Sequence, residues 1–349
     1  MTITIHDVAR EAGVSISTVS KVIHGSTRIS QPTKDRVRAV MERLDFQPNN
    51  IARSFVTQSS GTIGVLADMR RDSVSLTPHV YEVLAGVENA LMDAGYILSL
   101  FHISSPEEIR ERMDSMTRCK RIDAFILHTS WLTDPIVEWI AQSGIPFVEI
   151  GTDRRVGAEY TVDVDNALAG ELAAAHLLDI GCERPVFFAG GADDGISARR
   201  LEGIETCYRK RGFTPPEERI AYGTQEPGVA FETLIRLLSA PRGKRADGII
   251  CANNFSAQGA IRAARKLNVP IPAEIAFVGF DDFPLAPYLD PPLSVVKLDM
   301  FSLGIEAART VIRGLGKKGA RPDAAPVPAE SALMPPELIV RASSVLPTA

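Results

Sequence analysis

The chain has 349 residues, of which 45% are hydrophobic and 23% charged, and its formal net charge is −5. That hydrophobic share excludes a disordered chain, and no run approaches the ~18 unbroken apolar residues of a membrane helix. At roughly 100–200 residues per domain, the length predicts two or three domains.

Charge is unevenly spread. Residues 1–60 hold Arg10, Lys21, Arg28, Lys34, Arg36, Arg38, Arg43 and Arg53 against Asp7, Glu11, Asp35, Glu42 and Asp45, a balance of +3, which leaves −8 on the remaining 289. A basic head on an acidic body prompts the question of nucleic-acid binding, and the local pattern has to answer it. The start, Met1 to Asp7, has neither a basic cluster nor an apolar run, so no secretion signal is expected. Cys119, Cys182, Cys207 and Cys251 are far apart, which predicts reduced thiols rather than disulfides or a zinc site.

Three helices are predicted in the head. Thr4 and Asp7 match a capping box, and Ile5, Val8, Ala9 and Ala12 then share a face before Gly13 turns the chain. Ser15 caps a second helix from Ile16 to about Ile23, with Val19, Val22 and Ile23 inward. Ser30 caps a third, in which Pro32 precedes the stripe Val37, Val40, Met41 and Leu44. The spacing Ala9-x3-Gly13-x5-Val19 suits a helix-turn-helix whose second helix enters the major groove. Its outward residues are Ile16, Ser17, Ser20 and Lys21. Ser17 can exchange hydrogen bonds with a base, Lys21 can donate to guanine, and Ile16 can touch a thymine methyl. A three-helix protein-interaction module would account for the same residues as solvated surface.

Pro48 to Val56 is helix-capable but only about two turns long, below the length at which an isolated helix holds. It carries Phe55, suited to a minor-groove wedge or to packing on the body, and runs into the polar linker Thr57 to Gly61.

From Thr62 onward, strand candidates at Ile63–Ala67, Ile97–Phe101, Ala124–Leu127, Phe147–Ile150, Pro185–Phe188, Gly248–Cys251 and Ala276–Gly279 alternate with helices such as Val80–Ala94 and Asn166–Leu178. This alternation predicts two doubly wound parallel sheets with ligands beyond the carboxyl ends of the strands. The residues there include Asp68, His128, Trp131, Asn253, Asn254, Asp281 and Asp282, groups that hydrogen-bond or stack on a polyhydroxylated or heterocyclic molecule.

The stretches Ile3-Thr4-Ile5-x-Asp7-Val8-Ala9-Arg10-x-Ala12-Gly13-Val14-Ser15, Thr18-Val19-Ser20-x-Val22-Ile23-x-Gly25, Leu44-x-Phe46-x-Pro48-Asn49 and Ala52-Arg53-Ser54 closely resemble the signature of the lactose-repressor/galactose-repressor family. The likeness continues to Leu338-Ile339-Val340-Arg341-Ala342-Ser343, nearly the whole chain. It implies an all-α helix-turn-helix DNA-binding domain (1–48), a hinge helix and linker (49–60), and an α/β two-lobed periplasmic-binding-protein-like effector and dimerisation domain (61–349). Three crossovers are placed near Thr161–Asp165, Pro291–Leu293 and Ala329–Leu333. Lobe 1 then takes about 61–162 and 292–329, and lobe 2 about 163–291 and 330–345. The resemblance also implies DNA-backbone contacts from Thr4, Ser15, Thr18, His24 and Asn49, and a minor-groove hinge with Ala52, Arg53 and Phe55. Effector binding is implied for Arg200, Asn253 and Asp281, with Asp68, His79 and Trp131 beside them. Unliganded alternatives are a salt bridge from Arg200 to Glu202 or Asp194, and a helix cap for Asp281.

Departures from the family pattern are His24 for Asn, Phe55 for Leu, Asn254 for Asp, Leu298 for a frequent polar residue, and Thr77-Pro78-His79-Val80 for Asn-Pro-Phe-Phe. Those in the body bear on the ligand's identity rather than its existence. The expected protein is a cytoplasmic, nucleoid-associated bacterial repressor. Its partners are a pseudo-palindromic double-stranded operator, a sugar-like effector and a second copy of itself, with no membrane. No leucine heptad follows Arg341, which favours a dimer over a tail-assembled tetramer. The alternative is a sugar-binding or sugar-processing protein whose head serves protein contacts. No catalytic residues, cofactor or metal are expected. Gly190 to Gly195 is not G-x-G-x-x-G, Gly314 to Gly319 is not a P-loop, no G-x-S-x-G occurs, and the six His form no i, i+4 pair.

Overall fold

The structure, a computed structural model, describes residues 3–23, 26, 28–46, 59–67, 78–102, 105–129, 132, 134–151, 160–191, 194–215, 220–223, 227–241, 244–319 and 332–345. Contacts divide the chain into two compact units, Met1–Thr62 with Met116–Asp123, and Ile63–Ser115 with Ala124–Ala349.

In the first unit, α1 (Ile5–Ala12), α2 (Ile16–Ile23) and α3 (Gln31–Arg43) form where the capping residues and apolar periods predict. Val8, Ala9, Ala12, Val19, Val22, Val37 and Val40 are buried together, and Met41 and Leu44 pack on them half-buried. Gly13 sits in the left-handed region at φ 61°, where the absence of a Cβ lets the chain reverse between α1 and α2. Asp7 accepts from the Thr4 backbone N–H at 3.0 Å and from the Thr4 hydroxyl at 2.7 Å. The hydroxyl is therefore drawn to the carboxylate. Ser15 does cap α2, its Oγ accepting from Thr18 N–H at 3.2 Å. Ser30 opens α3 through its carbonyl, which accepts from Thr33 N–H at 3.1 Å, while its hydroxyl meets that of Thr33 at 2.9 Å.

The second unit runs β1 (Thr62–Ala67, its first residue counted with the first unit), α4 (Pro78–Asp93), β2 (Ile97–His102), α5 (Pro106–Arg118, its last turn likewise), β3 (Ala124–His128), α6 (Asp134–Ser143), β4 (Phe147–Ile150), β5 (Thr161–Val164), α7 (Asn166–Asp179), β6 (Pro185–Ala189), α8 (Gly195–Lys210), β7 (Ile220–Tyr222), α9 (Pro227–Leu238), β8 (Gly248–Cys251), α10 (Asn254–Lys266), β9 (Ala276–Phe280), β10 (Ser294–Lys297), α11 (Met300–Gly319), β11 (Ala332–Met334) and β12 (Glu337–Ile339). They build two six-stranded sheets, β11-β5-β4-β3-β1-β2 and β12-β10-β9-β8-β6-β7. The registered pairs are parallel except β10 with β12. Central strands are buried on both faces, as parallel strands covered by helices must be, and they read as unbroken apolar runs.

Two crossovers lie further along than the sequence suggests. Ser294–Lys297 pairs with β9, so it belongs to the second sheet, not to lobe 1. Ala332–Met334 pairs with β5, so it belongs to the first sheet, not to lobe 2, as do Asp163 and Val164 of β5 itself. The chain thus changes sheets at Asp165, at Leu298–Asp299 and at Pro335–Pro336. These strands are three or four residues long, and partners distant in sequence decide their sheet.

Helix pairs come very close. A Cβ on Gly170 of α7 would lie 2.0 Å from the Arg200 carbonyl, and one on Gly203 of α8 would lie 1.8 Å from that of Ala167. Gly86 and Gly304 play the same part between α4 and α11.

Candidate DNA-reading helix and ligand cleft

On α2, burial of Val19 and Val22 turns Ile16, Ser17 and Lys21 to solvent, with Ser20 half-buried beside them. The predicted base-reading residues therefore share one face. At the helix start, Ser15 Oγ lies 2.9 Å from both Ser17 Oγ and Thr18 Oγ1. These hydroxyls surround an N-terminus, where free amides and the helix dipole favour an anion such as phosphate. Thr4 occupies the equivalent position at α1. Arg10 pairs with Asp7, and Arg43 with Glu11. Among the described residues, Lys21, Arg28, Lys34, Arg36 and Arg38 form no ion pair, so the head's positive charge remains available. His24, Asn49, Ala52, Arg53, Phe55, Asp68 and Trp131 lie outside the described residues.

In the second unit Arg200 is only 5% exposed. Its Nε donates to Asn166 Oδ1 at 3.0 Å, and its Nη1 donates to the Ala252 carbonyl at 2.7 Å. Its guanidinium stacks 3.9 Å from the centre of the Phe280 ring. Neither Glu202 nor Asp194 forms the salt bridge considered from sequence. Asp194 instead caps α8, accepting from Ile196 N–H at 3.1 Å and Ser197 Oγ at 2.6 Å. Burial pushes the Arg200 pKa down, while Asp281, Asp194 and Asp163 act to hold its charge. A buried cation without a direct carboxylate partner is costly to keep, and among the described residues no hydrogen bond uses Nη2.

Asp281 follows β9 at φ 66°, a strained conformation for a residue other than glycine, and its buried Oδ1 has no hydrogen-bond partner among the described residues. It caps no helix. With its amide nitrogen turned to the chain, Asn254 donates to the carbonyls of Phe280 and Asp281 at 3.0 and 3.1 Å, holding this turn. A carboxylate at position 254 has no such donors, which gives the departure to Asn a physical reason. Asn253 is committed to structure: its Oδ1 accepts from Ser256 N–H at 2.8 Å and caps α10.

His79 lines a cavity of about 90 Å³ together with Glu82, Asn254, Asp281, Asp282, Phe283, Lys297, Leu298, Asp299 and Met300. Glu82, Lys297 and Asp299 were not singled out from the sequence. The available signal was helical spacing, since Glu82 lies one turn beyond His79 on α4. Burial and then Asp281 raise the Glu82 carboxyl above its usual range. Asp282 is bound to Arg341 at 2.8 Å. At the end of β3, burial drives His128 down to about 4, with His79 adding to the effect.

Two regions match known families. Residues 4–49 match bacterial regulatory proteins of the lacI family, and residues 174–344 match the periplasmic binding protein-like domain. The ribose operon repressor of Escherichia coli K12 is 30% identical over 302 residues, spanning 86% of this chain and 89% of that protein. The chain belongs to the LacI family. The transcriptional regulator CelR of Thermobifida fusca is 29% identical over 313 residues, 88% of this chain and 91% of its own. A solved CelR–cellobiose complex is similar across 98% of this chain and 100% of that one, with TM-score 0.72 and 25% identity. The lac repressor dimer bound to operator and an anti-inducer shares the fold, with TM-score 0.78 at 21% identity over 99% of this chain and 100% of that one.

This LacI-family chain is a DNA-binding, helix-turn-helix transcriptional regulator with a periplasmic-binding-type sensor. Its named relatives are transcriptional regulators. Among the described residues no helix is long and apolar enough to cross a membrane, and no group of three or more His, Cys, Asp or Glu is placed to hold a metal.

Proposed function

We propose that the protein is a cytoplasmic, nucleoid-associated homodimeric repressor, without enzymatic activity, whose grip on a pseudo-palindromic operator is set by a sugar bound between the two sheets. Residues 1–48 read DNA, 49–60 form the hinge and linker, and 61–349 sense and dimerise. Ile16, Ser17, Ser20 and Lys21 face base edges. Thr4, Ser15, Thr18, His24 and Asn49 hold phosphates, while Ala52, Arg53 and Phe55 engage the minor groove. Arg200, Asn253 and Asp281 bind the sugar's hydroxyls, flanked by Asp68, His79 and Trp131. Ligand and DNA then change each other's affinity by the same factor.

The observation that carries the sensor reading is the pairing of opposite needs beside Phe280: Arg200 lacks a carboxylate partner and Asp281 Oδ1 lacks a donor. A hydroxyl both donates and accepts, so a polyol can satisfy the two at once. The names of the ribose and cellobiose relatives point to the same ligand class. Selection from random-sequence DNA, followed by thermal shift with a sugar library, tests the reading. A palindromic site should emerge, and a sugar should raise Tm in the native protein but not in Arg200→Lys, which still binds the site. Failure to enrich any site at low salt removes the regulator reading. An equal ligand shift in Arg200→Lys removes the assigned pocket.

A further inference from the structure

The ionisable groups around the cavity narrow the class of sugar, an inference resting on the sugar-binding reading above. Carboxylates reach the cavity from three directions: Glu82 from α4, Asp281 from the end of β9, and Asp299 from the crossover into α11. The opposing groups are Lys297 and His79. They do not prevail at Glu82, whose carboxyl stays raised by burial, by Asp281 and by Asp299. Asp299 keeps its charge, because Ser302 donates its N–H at 3.0 Å and its hydroxyl at 2.8 Å, which lowers its pKa. Asp282 is matched by Arg341 at 2.8 Å. Arg200 could be thought to attract an anion, but it already lies in the field of Asp281, Asp194 and Asp163.

The Glu82 residue is exposed overall and its carboxyl only partly desolvated, so water still screens it in part while no ligand is present. A ligand that fills the cavity expels that water and brings its own charge against an unscreened carboxylate. Juxtaposed like charges are a strong means of excluding wrong partners. For an uncharged sugar the same carboxylate is an acceptor for hydroxyl donors, and for an amine it is a counter-ion.

We infer that Glu82 is a specificity-determining residue that excludes sugar phosphates and sugar acids and confines the effector to uncharged or amine-bearing sugars. The test titrates the full-length protein with matched sets: glucose, glucosamine, glucose 6-phosphate and gluconate; ribose and ribose 5-phosphate; cellobiose and cellobionate. In the native protein, uncharged or amine members should raise Tm and their anionic counterparts should bind at least tenfold more weakly. Glu82→Gln, which keeps the size and hydrogen-bonding capacity of the side chain, should narrow that ratio at least threefold while operator binding is retained. An anionic member that binds as tightly as its uncharged counterpart overturns the proposal, as does an unchanged ratio in Glu82→Gln. If no member of any set binds, it is the sugar reading itself that falls. Operator binding by Glu82→Gln shows in every case that the variant is folded.

Discussion

Ser60 donates both its backbone N–H, at 2.7 Å, and its hydroxyl, at 3.0 Å, to one carboxylate oxygen of Asp123. The other oxygen accepts from the Ser59 hydroxyl at 2.6 Å and from Gly61 N–H at 2.9 Å. A polar run that reads as an unstructured linker is thus fastened at its end by a residue more than sixty positions away. Four donors on one carboxylate form a charge-assisted cluster. Replacing Asp123 with Ala leaves two backbone amides to find water or go unpaired, a loss of about 1–3 kcal/mol. Amide exchange at Ser60 and Gly61 should accelerate at least tenfold in Asp123→Ala; unchanged exchange would remove the anchoring role.

Lys21 makes no ion pair among the described residues and stands with Ser17 and Ile16 on the open face of α2. A side chain that donates to a base edge carries sequence information, whereas one that meets phosphate does not. Lys21→Ala should therefore relax preference at one base position in each half-site by about 1–3 kcal/mol. Arg53→Ala, in the proposed hinge, should weaken all sequences alike. Binding-site enrichment on each variant measures both effects, and a uniform loss in Lys21→Ala would reassign that residue to the backbone.

How much could be read in advance depended on the range of the interaction. The ends of α1 and α2 follow from Thr4, Asp7, Gly13 and Ser15, all acting within a few residues, and the helices start and stop where those residues predict. The central strands were equally legible, because being buried on both faces demands continuous apolar runs. Ser294–Lys297 and Ala332–Met334 were assigned to the wrong lobes, since their pairing with β9 and β5 is non-local. Among the candidate ligand residues, Arg200 and Asp281 stand out by motif. That Asn253 Oδ1 is committed to capping α10, and that Glu82 and Asp281 line one cavity, depends on three-dimensional neighbours.

His128 carries a testable pH signature. Burial holds its folded pKa at about 4 against a usual 6.5, and His79 pushes it the same way. The sign is that of a depressed base. Between pH 6.5 and 4 the unfolded chain binds more protons than the folded one, so stability is complete above 6.5 and is lost as pH falls through that window. The shift sets an upper bound of about 3 kcal/mol. In urea denaturation at pH 7.5 and 4.5, His128→Asn should lose less stability than the native chain between the two conditions. Equal losses would mean that His128 does not titrate differently on folding.

Gly170 and Gly195 predict opposite outcomes for one substitution. Gly170 faces the Arg200 carbonyl, which an added Cβ would approach to 2.0 Å, so α7 and α8 must separate to admit a methyl group. Overpacking of this kind costs about 1–3 kcal/mol and exceeds the gain of about 1 kcal/mol in helix propensity. It also shifts the backbone that carries the Arg200 guanidinium, so the ligand response should fall along with stability. Gly195 opens α8 with nothing within 4 Å of its would-be Cβ. Gly195→Ala meets no obstacle and restricts the unfolded chain, for an expected gain of about 0.4–1 kcal/mol. Equilibrium denaturation of the two variants measures both signs, with the sugar-induced shift in Tm read alongside. A Gly170→Ala protein as stable as the native one, with an undiminished ligand shift, would show that the two helices part without disturbing Arg200.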